Sequence, residues 1–440
     1  MSKGRAAGSA LACAMLLIAL PMRGEVVALE TVEQIALGNR ALMDVERART
    51  NGARARAELA RASTRPTLSL NAQGALAPGN VLVRVNDIHG EEFFVSGSRP
   101  IGASEAFLPH YRVDAGLALQ GKIYDFGRST DVARAADAGA SAAEADREAT
   151  RARILREVRS AYLDWLVARA SAEIAADSAA NAREHRAAIE ARVQEGTRPP
   201  TDLLPLRSDE ARTRLGLVQA SGRLNAARLA VEAASASSLS SSAEPDAALF
   251  DLSPPATTAL QPSAALTAIE RRRDAALATA RSHEHRYLPV ITGAAEAGVH
   301  AQGSEVFPAY RIGVSLSLAL LDGDAEGAQN WIARADAAQL AAQANDLSQS
   351  LSVEKRSGES ALASAVEQIR AALELQTAAK AEYEAATGRY ELGAVNIDAV
   401  IEARSLLTNA RLELLQARAA RAAAVLRLVA LQDARAVPPR

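Results

Sequence analysis

The sequence predicts a mainly α-helical protein with a small β part, built as a two-fold internal repeat. Three observations carry this. Aromatic residues make up only 3% of the 440-residue chain, whereas large rings normally supply much of a compact core's buried area. Long, thinly packed helices suit such a composition better than a string of globules. The stretch Arg389 to Arg404, RYELGAVNIDAVIEAR, breaks an Ala/Leu-rich helical pattern at Gly393 and restarts it at once. Arg192 to Arg207, RVQEGTRPPTDLLPLR, does the same at Gly196, 197 residues earlier. An offset that long marks a duplicated half-chain rather than a solenoid unit. Finally, short segments of apolar/polar alternation precede each long helical pattern, as amphipathic strands do.

In chain order, residues 1–28 read as a secretory signal. Lys3 and Arg5 form the positive start, Leu11 to Leu20 the apolar core, and Val26-Val27-Ala28 the cleavage site. The apolar run is too short to span a bilayer permanently. The only cysteine, Cys13, lies inside that core, and Ala10-Leu11-Ala12 before it lacks the Leu expected three residues upstream of a lipidated Cys. The mature chain should therefore rely on neither disulfides nor Cys-ligated metal.

Residues 29–234 form the first repeat. Helical spacing runs from Thr31, a candidate cap, to Ala62, and Pro66 ends it. A strand over about 67–76 sets Leu68, Leu70, Ala72 and Leu76 against Thr67, Ser69, Asn71 and Gln73. Residues 77–109 lack a sustained period and read as a long loop. A second strand, about 111–123, points Tyr111, Val113, Ala115, Leu117 and Leu119 one way. After Tyr124-Asp-Phe-Gly127 a helix is expected over 128–194, 67 residues or roughly 100 Å. Its stripe is Ile154, Leu155, Val158, Tyr162, Leu163, Leu166 and Val167. A return helix follows over 202–234. Residues 235–262, rich in Ser and Pro, read as a linker or equatorial segment.

The second repeat, 263–432, replays this order. A helix runs from Ser263 to about His283, and Pro289 takes the place of Pro66. Strands are expected at about 290–299 and 310–320, then a long helix over 325–392 and a return helix over 398–432, with a tail at 433–440. Asp322 follows Asp125 by the same 197 residues. One-faced strands either cover a soluble core or line a barrel with lipid outside and water within. Behind a signal peptide the barrel is the better reading, with Ile312, Val314, Leu316 and Leu318 on the lipid face.

Composition also excludes functions. A net charge of −2 from 50 basic and 52 acidic residues offers no polycationic surface, so nucleic acid is not a partner. The six histidines lack ligand spacing, and His283 and His285 are expected to face solvent rather than metal. No nucleophile elbow or phosphate loop appears, so neither an enzyme nor a cofactor is predicted.

The order of helix, strand pair, long helix, Gly turn and half-length return, given twice behind a signal peptide, resembles the outer-membrane efflux protein family, the TolC-like channels. The likeness rests on Tyr124-Asp-Phe-Gly-Arg128 and on the turns from Glu195-Gly196 to Asp202-Leu-Leu204 and from Tyr390-Glu-Leu-Gly393 to Val400-Ile-Glu-Ala403. It implies a homotrimer in which each chain gives four strands to a twelve-stranded outer-membrane β-barrel and its helices to a periplasmic α-barrel. It further implies partnership with a periplasmic adaptor and an inner-membrane transporter, in drug or small-molecule efflux or type I protein secretion. The Tyr-Asp-Phe-Gly-Arg form resembles secretion-type members.

By position, the family's periplasmic gate falls on Asp202 and Tyr390. Its acidic constriction falls on Ala399 and Glu402, so one carboxylate is missing, though Asp398 shares a helix face with Glu402. Its basic latch falls on Val395. Read without the family, Asp202 and Asp398 serve as helix caps or first-turn acids, Asn396 is the alternative cap at the second turn, and Tyr390 serves as hairpin packing. A periplasmic coiled-coil scaffold or adaptor without a pore is the competing function. It predicts no alternating strands.

Overall fold

A computed structural model describes residues 26–78, 81–86, 92–97, 109–240, 242–255, 263–302 and 305–433. The apolar core of the expected signal, parts of the expected loop and linker, and residues 434–440 of the tail lie outside the described residues. In chain order the elements are β1 (Val26–Val27), α1 (Leu29–Asn39), α2 (Ala41–Ala62), β2 (Thr67–Pro78), β3 (Val81–Asn86), β4 (Glu92–Gly97), β5 (Pro109–Tyr124), α3 (Arg128–Gln194) and α4 (Leu203–Ser235). The second half adds β6 (Glu244–Pro245), α5 (Ala264–Glu284), β7 (Val290–Gln302), β8 (Glu305–Ser317), α6 (Ala325–Glu391) and α7 (Ile397–Asp433). The chain divides into two units, each drawn from both repeats and each taking part of α3 and α6.

One unit comprises Val45–Ala149, Pro262–Ser350 and the last residues, and contains the sheet. Its four strands run antiparallel in the order β2-β5-β7-β8. Most rungs keep one polarity, the exceptions being His300 opposite Phe307 and Val290 opposite Ser317 near the strand ends. Leu68, Leu119, Ala295 and Ile312 lie in register on one face, and Ser69, Ala118, Glu296 and Arg311 on the other. Arg311 binds Glu296 at 2.8 Å, and the Thr292 and Ser315 hydroxyls meet at 2.6 Å, as cross-strand partners should. A one-residue slip would turn every apolar side chain onto the polar face. Gly116 and Gly298 face each other where β5 meets β7, and a Cβ on Gly298 would overlap the Ala115 carbonyl oxygen.

Several sequence expectations change here. The fourth strand starts at Glu305 and stops at Ser317, because its partner β7 begins at Val290, immediately after Pro289, which has no N–H to donate. Leu318 therefore lies one residue beyond the strand, while Ile312, Val314 and Leu316 sit within it. The expected loop over 77–109 holds the hairpin β3–β4, whose consecutive apolar residues, Val81-Leu-Val83 and Phe93-Phe-Val95, break the alternation that marks a one-faced strand. The expected helix from Thr31 to Ala62 starts earlier, at Leu29, so Thr31 is no cap, and it breaks at Arg40. Arg40 leaves the helix to bond the Ala234 carbonyl at 3.0 Å and Glu157 at 2.7 Å.

The restart motifs cap both long helices. The Asp125 carboxylate accepts from the Ser129 N–H at 2.9 Å, and that of Asp322 accepts from the Glu326 N–H at 3.2 Å. His283 and His285, expected to face solvent, instead engage carboxylates in the first turns of these helices. His283 Nδ1 lies 2.5 Å from Glu326, and His285 Nε2 lies 3.2 Å from Asp131. Arg128 also bonds Glu326, at 2.6 Å. Among the described residues no group of His, Cys, Asp or Glu could hold a metal ion, and no helix is long and apolar enough to cross a membrane.

The other unit comprises Met1–Asp44, Thr150–Gln261 and Leu351–Ala434. Its main core gathers the α3 stripe, with Ile154, Val158 and Tyr162 fully buried together with Trp165 and Val231. Each contributes about 1.5–3 kcal/mol of apolar burial. Tyr162 and Trp165 stack edge to face at 5.7 Å. The Tyr162 hydroxyl donates to the Val27 carbonyl at 2.6 Å and accepts from the Asp246 N–H at 2.7 Å. Burial pushes that hydroxyl up to about 12, so it remains protonated in this bridge. Val27 is 2% exposed, and β1 pairs in parallel with β6 inside the expected linker.

A cut after Ala28 would pull Val27 from this core and strand the Tyr162 hydroxyl. We therefore expect the processed chain to begin N-terminal of Val26. Intact-mass measurement or N-terminal sequencing of the exported protein checks this, and a mature start at Leu29 would contradict it.

Candidate functional site

The candidate site lies where the two helix hairpins of the second unit described meet, and both turns are built alike. In the first, the Gly196 N–H bonds the Val193 carbonyl and the Thr197 N–H bonds that of Arg192, both at 3.0 Å. In the second, the Gly393 N–H bonds the Tyr390 carbonyl at 3.0 Å and the Ala394 N–H bonds that of Arg389 at 2.9 Å. Each pair is a Schellman closure, which needs a left-handed residue after the helix. Gly196 at φ +75° and Gly393 at φ +74° supply it without the strain a Cβ would bring. Beneath the turns Ile189, Leu206, Tyr390, Ile397 and Val400 form a cluster, and Val395 packs against it. That packing places Val395 in an apolar setting where a charged latch would not sit.

Tyr390 is 2% exposed, and its hydroxyl donates to the Asp202 carboxylate at 2.9 Å. Burial first, and then the hydrogen bond to Asp202, push that hydroxyl up to about 12, so it remains a donor at any physiological pH. Asp202 precedes α4 yet makes no capping bond to that helix. Its carboxylate serves the other repeat, which removes the simple cap reading. Asn396, rather than Asp398, caps α7, accepting from the Ala399 N–H at 3.3 Å. Asp398 and Glu402 are exposed on α7 and take no part in the Asp202–Tyr390 contact. The Asn396 amide reaches Asp398 at 3.3 Å.

Sequence reasoning missed four residues. Arg198 lies over the Tyr390 ring, 4.3 Å from its centroid, and donates to the Tyr390 carbonyl at 2.8 Å. Asp209 and Arg404 form an ion pair between α4 and α7, at 7% and 6% exposure. His185 on α3 is the fourth. Burial first, and then the Arg404 charge, hold its imidazole below the ordinary value of 6.5. The repeat offset pointed to Arg198, which occupies in the first turn the place of Val395 in the second. Nothing in the local sequence pointed to Asp209 or Arg404, because an acid and a base on separate helices look like any solvated face until the helices meet.

The sequence matches the description "Outer membrane efflux protein" over residues 32–237 and again over 256–432. No curated protein sequence matches the chain. Among solved structures, the VceC outer membrane protein of Vibrio cholerae aligns with a TM-score of 0.76 at 20% identity, covering 92% of this chain and 95% of its own. The open state of the Neisseria gonorrhoeae MtrE outer membrane channel aligns at 0.76 and 17% identity, covering 92% and 88%. The Campylobacter jejuni CmeC outer membrane channel aligns at 0.74 and 17%, covering 92% and 85%. At such identities the likeness is one of fold.

Truncating Arg404 alone leaves a buried carboxylate without its counter-ion, a loss of about 3–5 kcal/mol, whereas an apolar pair of similar volume is often neutral or better. Arg404→Met should therefore destabilise the folded protein strongly, and Asp209→Leu with Arg404→Met should recover most of the loss in detergent unfolding. Equal destabilisation by the single and double variants would show that the pair contributes shape rather than charge.

Proposed function

This chain belongs to the outer membrane efflux protein family, and from that premise we propose that three copies close their sheets into one barrel and work as a passive exit duct. As a member of that family it is a transport channel of the outer membrane, not an enzyme. The observation that carries the trimer is the sheet. Among the described residues β2 and β8 are its outer strands, and the apolar/polar alternation continues to both. Lipid tolerates no open row of N–H and C=O groups, so other copies must complete the barrel. The apolar face with Leu68, Leu117, Leu119, Ile312, Val314 and Leu316 then meets lipid, and the face with Asn71, Gln73, Asp114, Glu296 and Arg311 meets water. The competing scaffold or adaptor without a pore would have no use for such a sheet.

The helices, on this reading, form the periplasmic part, and a periplasmic adaptor with an inner-membrane transporter supplies energy and substrate choice. The hydrogen bond between Asp202 and Tyr390 ties the two hairpins of one chain together, which supports a resting state pinched at the turns. The fold also exists open, as in the gonococcal MtrE channel. Asp398 and Glu402, one helical turn apart and both exposed, form in three copies an acidic ring that lowers a cation's entry barrier and raises an anion's.

Two experiments test this. Ile312→Arg, on the lipid face at the middle of β8, should cost about 2–4 kcal/mol and impair heat-modifiable trimer assembly, while Ser315→Arg on the water face should assemble. Equal tolerance of both would refute the assigned faces. In planar bilayers the refolded protein should form pores, and Asp398→Asn with Glu402→Gln should lower their cation preference and weaken block by multivalent cations. Unchanged selectivity would place the constriction elsewhere.

A further inference from the structure

Resting on the duct reading, the geometry points to Arg198 as the latch of the closed state, with the basic group supplied by the first hairpin instead of the second. The two turns are related by the 197-residue offset, so Arg198 is the counterpart of Val395, Asp202 that of Ala399, and Val193 that of Tyr390. In each of these pairs one repeat carries the polar or aromatic group and the other carries a small apolar one. The lock is therefore one-sided. The first hairpin contributes both holding groups, and the second contributes the ring they hold.

Arg198 and Asp202 take Tyr390 by opposite ends. Asp202 accepts the phenolic hydrogen at 2.9 Å, while the Arg198 guanidinium donates to the Tyr390 carbonyl at 2.8 Å, reaches the Glu391 carbonyl at 3.4 Å and covers the ring face. Those carbonyls belong to the last turn of α6. There the Tyr390 carbonyl already accepts from the Gly393 N–H, so Arg198 takes its second lone pair, and the helix dipole presents negative charge that suits a cation arriving from another hairpin. The aromatic face adds a cation–π attraction that a neutral donor lacks.

The arm that carries Arg198 is stiff. Pro199 follows at φ −73° and ψ 143°, Pro200 comes next, and the Thr197 hydroxyl donates to the Arg192 carbonyl at 2.9 Å. A stiff turn spends little entropy in holding the guanidinium in place, so the contact acts on the hairpin rather than merely following it. To part the hairpins the channel must break the Asp202 and Arg198 contacts together. Arg198 is thus a positioning residue for opening. It holds the end of α6 through the Tyr390 and Glu391 carbonyls.

Single-channel recording in planar bilayers tests this on trimers that keep heat-modifiable migration. Arg198→Ala should raise the resting conductance several-fold without loss of trimer, and Arg198→Lys, which keeps charge and donor but loses the planar stack, should fall between. Resting conductance unchanged in both would overturn the assignment. If Arg198→Ala fails to assemble, Arg198→Lys is compared with Arg198→Gln. A quiet Lys channel beside a leaky Gln channel supports the latch, and identical channels overturn it. A wild-type protein that forms no pore would instead defeat the duct reading, so the two failures are distinguishable.

Discussion

A sheet in hydrocarbon must leave no backbone N–H or C=O unpaired at its edges, and the rest of this structure follows from that constraint. One chain supplies four strands, two from each repeat, joined at the β5–β7 seam. Four strands are too few to close, so on the proposed reading the chain is a sector that needs copies of itself. That need explains why the alternation carries across all four strands, from Leu68 through Leu119 and Ala295 to Ile312. It also explains why the seam between the repeats is made at Gly116 and Gly298, where two backbones come closer than any Cβ would allow.

Duplication supplied the frame, and divergence supplied the contacts. Both long helices begin under an aspartate, Asp125 or Asp322, and both end in the same glycine closure, at Gly196 or Gly393. A perfectly symmetric pair of hairpins would have placed the same groups at both turns. In this chain the second turn carries Val395 and Ala399, with Val395 packed in the cluster beneath, where the first carries Arg198 and Asp202. Symmetry was retained where it sets backbone geometry and lost where side chains from the two repeats meet.

The sequence shows most clearly what depends on local order. Long helices, Gly turns and strand polarity are periodicities or single-residue conformations, and each can be read from a short window of residues. The bond from Tyr390 to Asp202 was legible only through resemblance, since no spacing rule joins positions 188 residues apart. Strand ends were lost because they depend on a partner, as when Pro289 ends the pairing of β8 at Ser317. The break at Arg40 was lost for a similar reason, because its cause is a carbonyl at Ala234. In sequence His283 and His285 look like surface residues because their partners, Glu326 and Asp131, lie on other helices.

The buried pair of Asp209 and Arg404 poses a different question, because apolar residues of the same size would serve stability as well or better. The interfaces of the return helices suggest why charge was retained. The buried clusters near the turns mix Ala386 and Ala403 with Leu206, Ile397 and Val400, and Ala379 and Ala410 with Leu407. Apolar packing of this kind tolerates some repacking, but a slip of one turn would carry Asp209 about 5 Å from Arg404 and leave two buried charges unpaired. Asp209 lies two helical turns after Asp202, so the ion pair fixes the α4–α7 register on which the Tyr390 hydroxyl depends. A hairpin lock built on one ring and one carboxylate requires its helices to be held at a single register, and a buried charge pair that any slip would break adds to what Leu206, Ile397 and Val400 hold by packing.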